Sequence, residues 1–340
     1  MLFRSDMGSV IFVNNKLENR EGNRIVFPLL RDDEAADGVS GNTRLKGRER
    51  ELDFRPMYLD AEWYREGVTV TKKTKQSSAV SVMDGAKIVL RRWADRKLEN
   101  LLIGSLTAVA HVNGFFVPYA TATSTQRNTW LTNNVDNVLF GKDRANTSAG
   151  DFAASLANVD ATNDRMTKEM VSKAKRMAQL RPSQIIEPTD SGEDGVENYV
   201  MFMDPYHHRD LSNDAEVKTL TAQADTRGPS NRLWKGGDLM WDGVICKSYA
   251  RLSKTRYGTG AAGVAVGASF LLGAAALGVC WVERPTPQVD TDDYGFITGA
   301  AMEQCLAAGK LMFGTGTADD YDKQIDNGVV TVLAPATADV

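Results

Sequence analysis

SVMDGAKIVLRRWADRKLENLLIGSL, from Ser81 to Leu106, is the stretch whose reading decides the fold. Met83, Ala86, Leu90, Ala94, Leu98 and Leu101 recur in steps of three and four, drawing one apolar stripe at helical period. Val82, Val89, Trp93 and Leu102 widen the stripe, so a broad buried face is expected. Asp84, Lys87, Arg91, Asp95 and Glu99 fall on the opposite side. Arg91 and Asp95 stand four apart with opposite signs, a pairing that contributes roughly 0.2–0.5 kcal/mol. Ser81 with Asp84 resembles a capping box with the shorter acid, and Gly104 reads as the stop. At ~1.5 Å per residue the rod is ~39 Å long, about the width of a small domain. A helix of that length in a mixed chain predicts a backbone on which sheets and loops are hung.

Upstream of this helix the pattern turns to strands. Residues 1–22 read as an N-terminal arm, and Arg24 to Leu30 as a short apolar strand that Pro28 places near an edge. From Arg44 to Arg55 eight of twelve positions are charged, which excludes a core strand and predicts an exposed hairpin arm or solvated loop. Met57, Leu59, Ala61 and Trp63, then Val68 and Val70, alternate with polar residues as two half-buried strands.

Downstream, Asn113 to Ala149 reads as strands and long loops. A second helix is expected over Asn163–Leu180, with Met166, Met170, Ala174 and Met177 on its core face and Arg181-Pro182 at its end. Tyr199 to Met203 is an apolar strand, followed by Asp204 as N-cap and Pro205 as first residue of a short helix over Tyr206–Ser212. Asp242-Gly243, between Leu239–Trp241 and Val244–Cys246, gives the strongest local hairpin signal. A helix over Ala300–Phe313 and a strand over Gly328–Leu333 complete the series. Strands and helices mix irregularly, so the expected class is α+β.

The 340 residues are 42% hydrophobic, ample for a sizeable core. The formal net charge of −4 is spread along the chain, without the concentrated basic surface that gripping phosphates requires. Cys246, Cys280 and Cys305 are odd in number, widely spaced and without a CxxC pair, which argues for a reducing compartment and against a disulfide framework or zinc site. Val10 to Val13 is too short for the core of a signal peptide. Tyr257 to Val282 carries no charge and is long enough to span a bilayer, with Gly263 and Gly267 at helix-contact spacing. It is mostly glycine and alanine, which gain little from lipid, and no Lys/Arg cluster orients it. Buried core with close backbone packing is the expectation.

Chemistry has one candidate home. His207 and His208 lie between Asp204 and Asp210, and Asp204 with His208 is the only pair at i, i+4. Adjacent helical histidines point ~100° apart, so both cannot chelate one ion. Two ligands without a third make a weak site, so His207 and His208 are expected as surface residues beside a helix cap. His111 is the remaining histidine, and no nucleophile elbow, P-loop or dinucleotide fingerprint occurs. The expectation is no catalytic, cofactor-binding or metal residues; the enzyme alternative is a metal-dependent one using Asp204 and His208.

Several stretches, taken in order, resemble one family. They are NRIVFPLL (Asn23–Leu30), DGVSGNTRLKG (Asp37–Gly47), YVMFMDPYHHRDL (Tyr199–Leu211), TRGPSNRLW (Thr226–Trp234) and MWDGVICKS (Met240–Ser248). ASFLLGAAAL (Ala268–Leu277), DYG (Asp293–Gly295) and NGVVTVL (Asn327–Leu333) follow. The chain resembles tailed-phage major capsid proteins of the Hong Kong 97 fold, specifically the coat proteins of Enquatrovirus-type podophages, although the region before its first strand is short for such a protein.

The resemblance implies an N-terminal arm (1–22), an extended loop over a neighbouring subunit (23–74), and a peripheral domain (75–150) with Ser81–Leu106 as its spine. It further implies an axial domain (151–315) and a C-terminal strand (316–340) returning to the peripheral domain. The implied function is self-assembly, as pentamers and hexamers, into an icosahedral virion shell around double-stranded DNA, made in the host cytoplasm. Implied partners are further copies, portal, scaffolding and decoration proteins, and DNA by weak non-specific contact, with no membrane. A weakly acidic chain suits such a shell, since a strongly basic wall would stick to incoming phosphates. A bacterial encapsulin-like compartment shell of the same fold is the alternative, distinguished by cargo enzyme in place of DNA.

Overall fold

The computed structural model describes residues 3–4, 8–18, 22–30, 39–48, 54–78, 81–112, 114–181, 185–188, 198–225, 234–235, 238–314 and 324–338. The expected helix is there, as Val82–Leu106 with Ser81 at its N-cap. Its start differs in chemistry: the Ser81 hydroxyl donates to the Asp84 carboxylate at 2.6 Å, not capping the backbone. Gly104 does not stop it, and the helix runs two residues further to Leu106. The buried stripe is narrower than expected, resting on Ala86, Leu90, Ala94, Leu102 and Leu106, while Val89 stays 59% exposed.

This spine lies across a five-stranded sheet, in the order Phe3–Arg4, Ile11–Val13, Leu277–Asp292, Ile297–Lys310, Glu62–Thr71. Leu90 and Ala94 pack on Ala300 and Met302, with Val68 and Trp93 at the margin. The expected helix over Ala300–Phe313 is therefore a strand. Ala, Met and Gln lean towards helix by intrinsic preference, but Ile297–Lys310 pairs on both sides, from Ile297↔Thr71 to Leu306↔Glu62 and from Ile297↔Asp292 to Lys310↔Leu277. Tertiary pairing overrides local propensity here.

A seven-stranded mixed sheet forms the other half, ordered Trp234–Lys235, Asp238–Trp241, Val244–Ser248, Tyr199–Met203, Val266–Leu272, Val329–Pro335, Val138–Phe140. Its central strands are apolar apart from the buried Ser269 and Thr331, because both faces are covered. Tyr199, Met201, Met203, Leu271, Val330 and Val332 join one core with Met170 and Ala174; Val200, Phe270, Leu272, Val329 and Leu333 join the other. The charge-free run is divided between this sheet and the first half of Leu277–Asp292, and among the described residues no helix is long and apolar enough to cross a membrane. The Asp242-Gly243 hairpin forms as expected, both residues in the left-handed region at φ 48° and 72°.

Other boundaries moved for local reasons. The methionine-faced helix begins at Lys168, because Asn163 and Asp164 belong to a turn. There the Asp164 carboxylate accepts the backbone N–H groups of Lys142 (2.7 Å) and Asp160 (2.8 Å). Within the region read as strands and loops, Ser124–Asn133 is a helix started by a Thr123/Gln126 capping box. The C-terminal strand Val329–Pro335 sits between Val266–Leu272 and Val138–Phe140 in the seven-stranded sheet, while residues 277–310 lie under the spine. The C-terminal strand thus borders both the 75–150 stretch, at Val138–Phe140, and the 151–315 stretch, at Val266–Leu272.

Candidate functional site

The Asp204 cluster is a buried lock. Asp204 caps the helix Pro205–Asn213, its carboxylate accepting the Tyr206 N–H at 3.0 Å and pairing with Arg256. His207 is fully buried, correcting the surface expectation. Its Nε2 lies 3.1 Å from the Ala334 carbonyl and must donate there, leaving Nδ1 to accept the Ser269 hydroxyl at 2.7 Å. That arrangement uses a neutral ring, and burial holds the His207 pKa below the ordinary histidine value. His208, half-buried, keeps its place in the helix through its N–H to the Asp204 carbonyl at 2.9 Å. Both Asp204 oxygens are already engaged, and among the described residues no group of His, Cys, Asp and Glu could hold a metal ion. The cluster ties a helix start to two strands of the sheet. Gly267 makes room for it, since a Cβ there would lie 3.0 Å from Asp204 Oδ2 and 3.2 Å from His207 Nε2.

Surfaces suited to contact with other chains lie elsewhere. Arg24–Leu30 and Phe54–Asp60 form an antiparallel ribbon of two strands, and among the described residues each has an edge without a strand partner. Its root is anchored: Phe27 is fully buried, edge-on to Phe12 at 5.6 Å, and Met57 and Leu59 enter the main core. Arg24 grips Asp60 with two hydrogen bonds, 2.7 and 2.9 Å, and this holds the Asp60 pKa below the usual carboxylate value. Of the charged run between the strands, Arg44, Lys46 and Arg48 are exposed; residues 49–53, with Arg50, lie outside the described residues.

Two further surfaces flank this root. A cleft of about 250 Å³ between the spine and the ribbon's foot is lined by Leu59, Tyr64, Leu101, Phe115 and Phe116. Leu306, Ala307 and Ala308 of the strand Ile297–Lys310 also line the cleft, and that strand runs with Leu277–Asp292 as one long hairpin whose outer half is increasingly exposed.

A long spine helix and a two-stranded extended arm are features that the Hong Kong 97 resemblance implies, and both are present here. A family model for phage capsid proteins matches residues 4–337. The chain belongs to the phage capsid protein family. The major capsid protein of Pseudomonas phage KPP25 is 25% identical over 359 residues, covering 99% of this chain and 90% of that one. A chain of the cyanophage Pam1 capsid asymmetric unit superposes with a TM-score of 0.85 at 26% identity, covering 99% of this chain and 92% of that one. The capsid of Ralstonia phage GP4 shares the fold, with a TM-score of 0.76 at 20% identity and coverage of 100% and 90%. This capsid protein is a shell-forming structural subunit of the major capsid type, with the Hong Kong 97-like fold. Its function resides in surfaces repeated over many copies, where modest pairwise energies suffice.

Proposed function

We propose that this capsid protein closes, as pentamers and hexamers, into an icosahedral shell enclosing the double-stranded DNA of a tailed phage, assembled in the host cytoplasm. The observation that carries the reading is the full-length likeness to a capsid asymmetric unit, with family coverage from residue 4 to 337. The two-stranded ribbon with its charged crest serves as the extended loop that lies over a neighbour. The spine and five-stranded sheet make up the peripheral domain; the seven-stranded sheet with its methionine-faced helix makes up the axial domain around which copies gather. Portal, scaffolding and decoration proteins are the further partners such a shell uses, and the subunit itself contributes no catalytic group.

Expression of the chain with its phage's other head proteins, followed by electron microscopy and nuclease digestion, tests this. Closed particles holding nuclease-protected DNA are expected. Particles filled with a cargo enzyme would favour the compartment reading, and a monodisperse monomer under every condition would overturn assembly altogether.

A further inference from the structure

The outer end of the long hairpin carries two opposite surfaces side by side. At its turn Asp290, Asp292 and Asp293 are exposed, and no basic residue occurs from Pro287 to Phe296. Among the described residues the Asp290 and Asp292 carboxylates accept only the N–H of the next residue, at 2.8 and 2.7 Å. Among these acids Val289 is 60% exposed and Tyr294 projects fully into solvent. Asp293, Tyr294 and Gly295 hold left-handed backbone in succession, at φ 50°, 50° and 80°, which turns the ring outward.

Directly beside this turn begins the helix Lys72–Ser77, joined to it by the Lys72 N–H on the Phe296 carbonyl at 2.9 Å. Lys72, Lys73 and Lys75 are exposed and the helix has no acid. Lys75 Nζ reaches the Thr298 hydroxyl at 3.1 Å. Among the described residues no ion pair joins these lysines to the three aspartates.

We propose that this end is a copy-to-copy contact, in which the acidic, tyrosine-tipped turn of one subunit docks against the Lys72–Ser77 helix of the next. The inference rests on the shell reading. Charge complementarity selects a second copy: the chain carries both halves of the contact, adjacent but not satisfied by each other. Patches that differ and sit side by side make a heterologous contact, in which each copy gives its acid and receives its neighbour's; such contacts close into rings when the rotation permits. Tyr294 supplies the rigid aromatic anchor that charged patches lack, with Val289 beside it. The opposite signs speed correct encounters and reject like-to-like ones.

Two charge reversals and their combination test this in the full chain. One variant carries Asp290→Lys, Asp292→Lys and Asp293→Lys; the other carries Lys72→Glu, Lys73→Glu and Lys75→Glu. Acids in the first helical turn favour the helix, so the second set should not cost the fold. Each set alone should lower particle yield at least ~10-fold, by sedimentation and electron microscopy, with circular dichroism unchanged, and the combined set should restore it. Asn at the three aspartates, which adds no repulsion, should lower yield several-fold with the fold intact. Wild-type yield from both single sets, or no restoration from a folded combined variant, overturns the pairing. Failure of the unaltered chain to form particles would instead overturn the shell reading beneath it.

Discussion

Lys310 and Asp326 meet at 2.8 Å at the foot of the long hairpin, both side chains withdrawn from solvent. One Asp326 oxygen, Oδ2, takes the side-chain contacts, while Oδ1 is buried without a hydrogen-bond partner among the described residues. Lys310 Nζ also donates to the Ala108 carbonyl at 2.9 Å, and Trp130 Nε1 donates to the same Asp326 oxygen at 3.2 Å. The Asp326 backbone binds Asn134 Oδ1 through its N–H and Arg181 through its carbonyl. Five separated segments, at Ala108, Trp130–Asn134, Arg181, Lys310 and Asp326, are thereby joined where the two halves of the fold meet.

A buried ion of this kind destabilises when its partner is removed, because the remaining charge has no water to return to. Lys310→Met should therefore cost about 3–5 kcal/mol. Lys310→Met with Asp326→Asn removes both charges and leaves Trp130 an acceptor, so the double variant should be more stable than Lys310→Met alone. Urea denaturation of unassembled subunits measures this, and a double variant as weak as the sum of its singles would show the charges to be uncoupled.

His207 makes stability depend on pH. Its folded pKa lies below the ordinary value, so the unfolded chain binds more protons wherever the pH is under the unfolded pKa of about 6.5. Stability from this group is complete above that value and is lost as the pH falls below it. His207→Gln should cost about 1–3 kcal/mol by leaving one of its two bonded partners unmatched, and should flatten the thermal midpoint against pH below about 6.5. His208→Gln should stay within about 0.5 kcal/mol. A slope unchanged in His207→Gln would place the acid sensitivity elsewhere.

Gly267 is where the sheet leaves room for that cluster. Gly267→Ala would press a methyl group on Asp204, His207 and, at 3.3 Å, Ala336, inside a fully buried strand. Overpacking of this kind costs about 1–3 kcal/mol. A lower thermal midpoint with wild-type particle geometry is expected; an unchanged midpoint would mean the cluster yields freely.

Local signals carried much of this fold. The spine follows from its stripe, the Asp204 helix from its cap and proline, and the tight hairpin from Asp242-Gly243. The strand Ile297–Lys310 did not show, because its residues favour helix and only its two neighbours make it a strand. The helix Ser124–Asn133 did have a start signal, Thr123 with Gln126. Lys310 sits in an apolar run and Asp326 before a turn, with no spacing that couples them; only closure of the fold brings them together. His207 is polar and next to a cap, and its burial depends on Gly267 and Ala334, far along the chain.

The arm is where fold and assembly meet most directly. Its root is buried through Phe27 and Met57, but Arg44, Lys46 and Arg48 are exposed and too polar to enter their own subunit's core. Exposed loops of such composition are open to proteases unless something covers them. If the crest lies over a neighbour, its charges gain opposite-sign partners only in the shell. Each such pair contributes about 0.2–1 kcal/mol, and a cluster repeated in every subunit adds up. Trypsin should then cut between Arg44 and Arg55 quickly in unassembled subunits and slowly in shells, and raised salt should weaken assembly by screening the pairs. Peptides identified by mass give the two cleavage rates at these residues. Equal rates would make the crest an ordinary surface loop, and the interlock between subunits would have to be sought at the spine and the long hairpin instead.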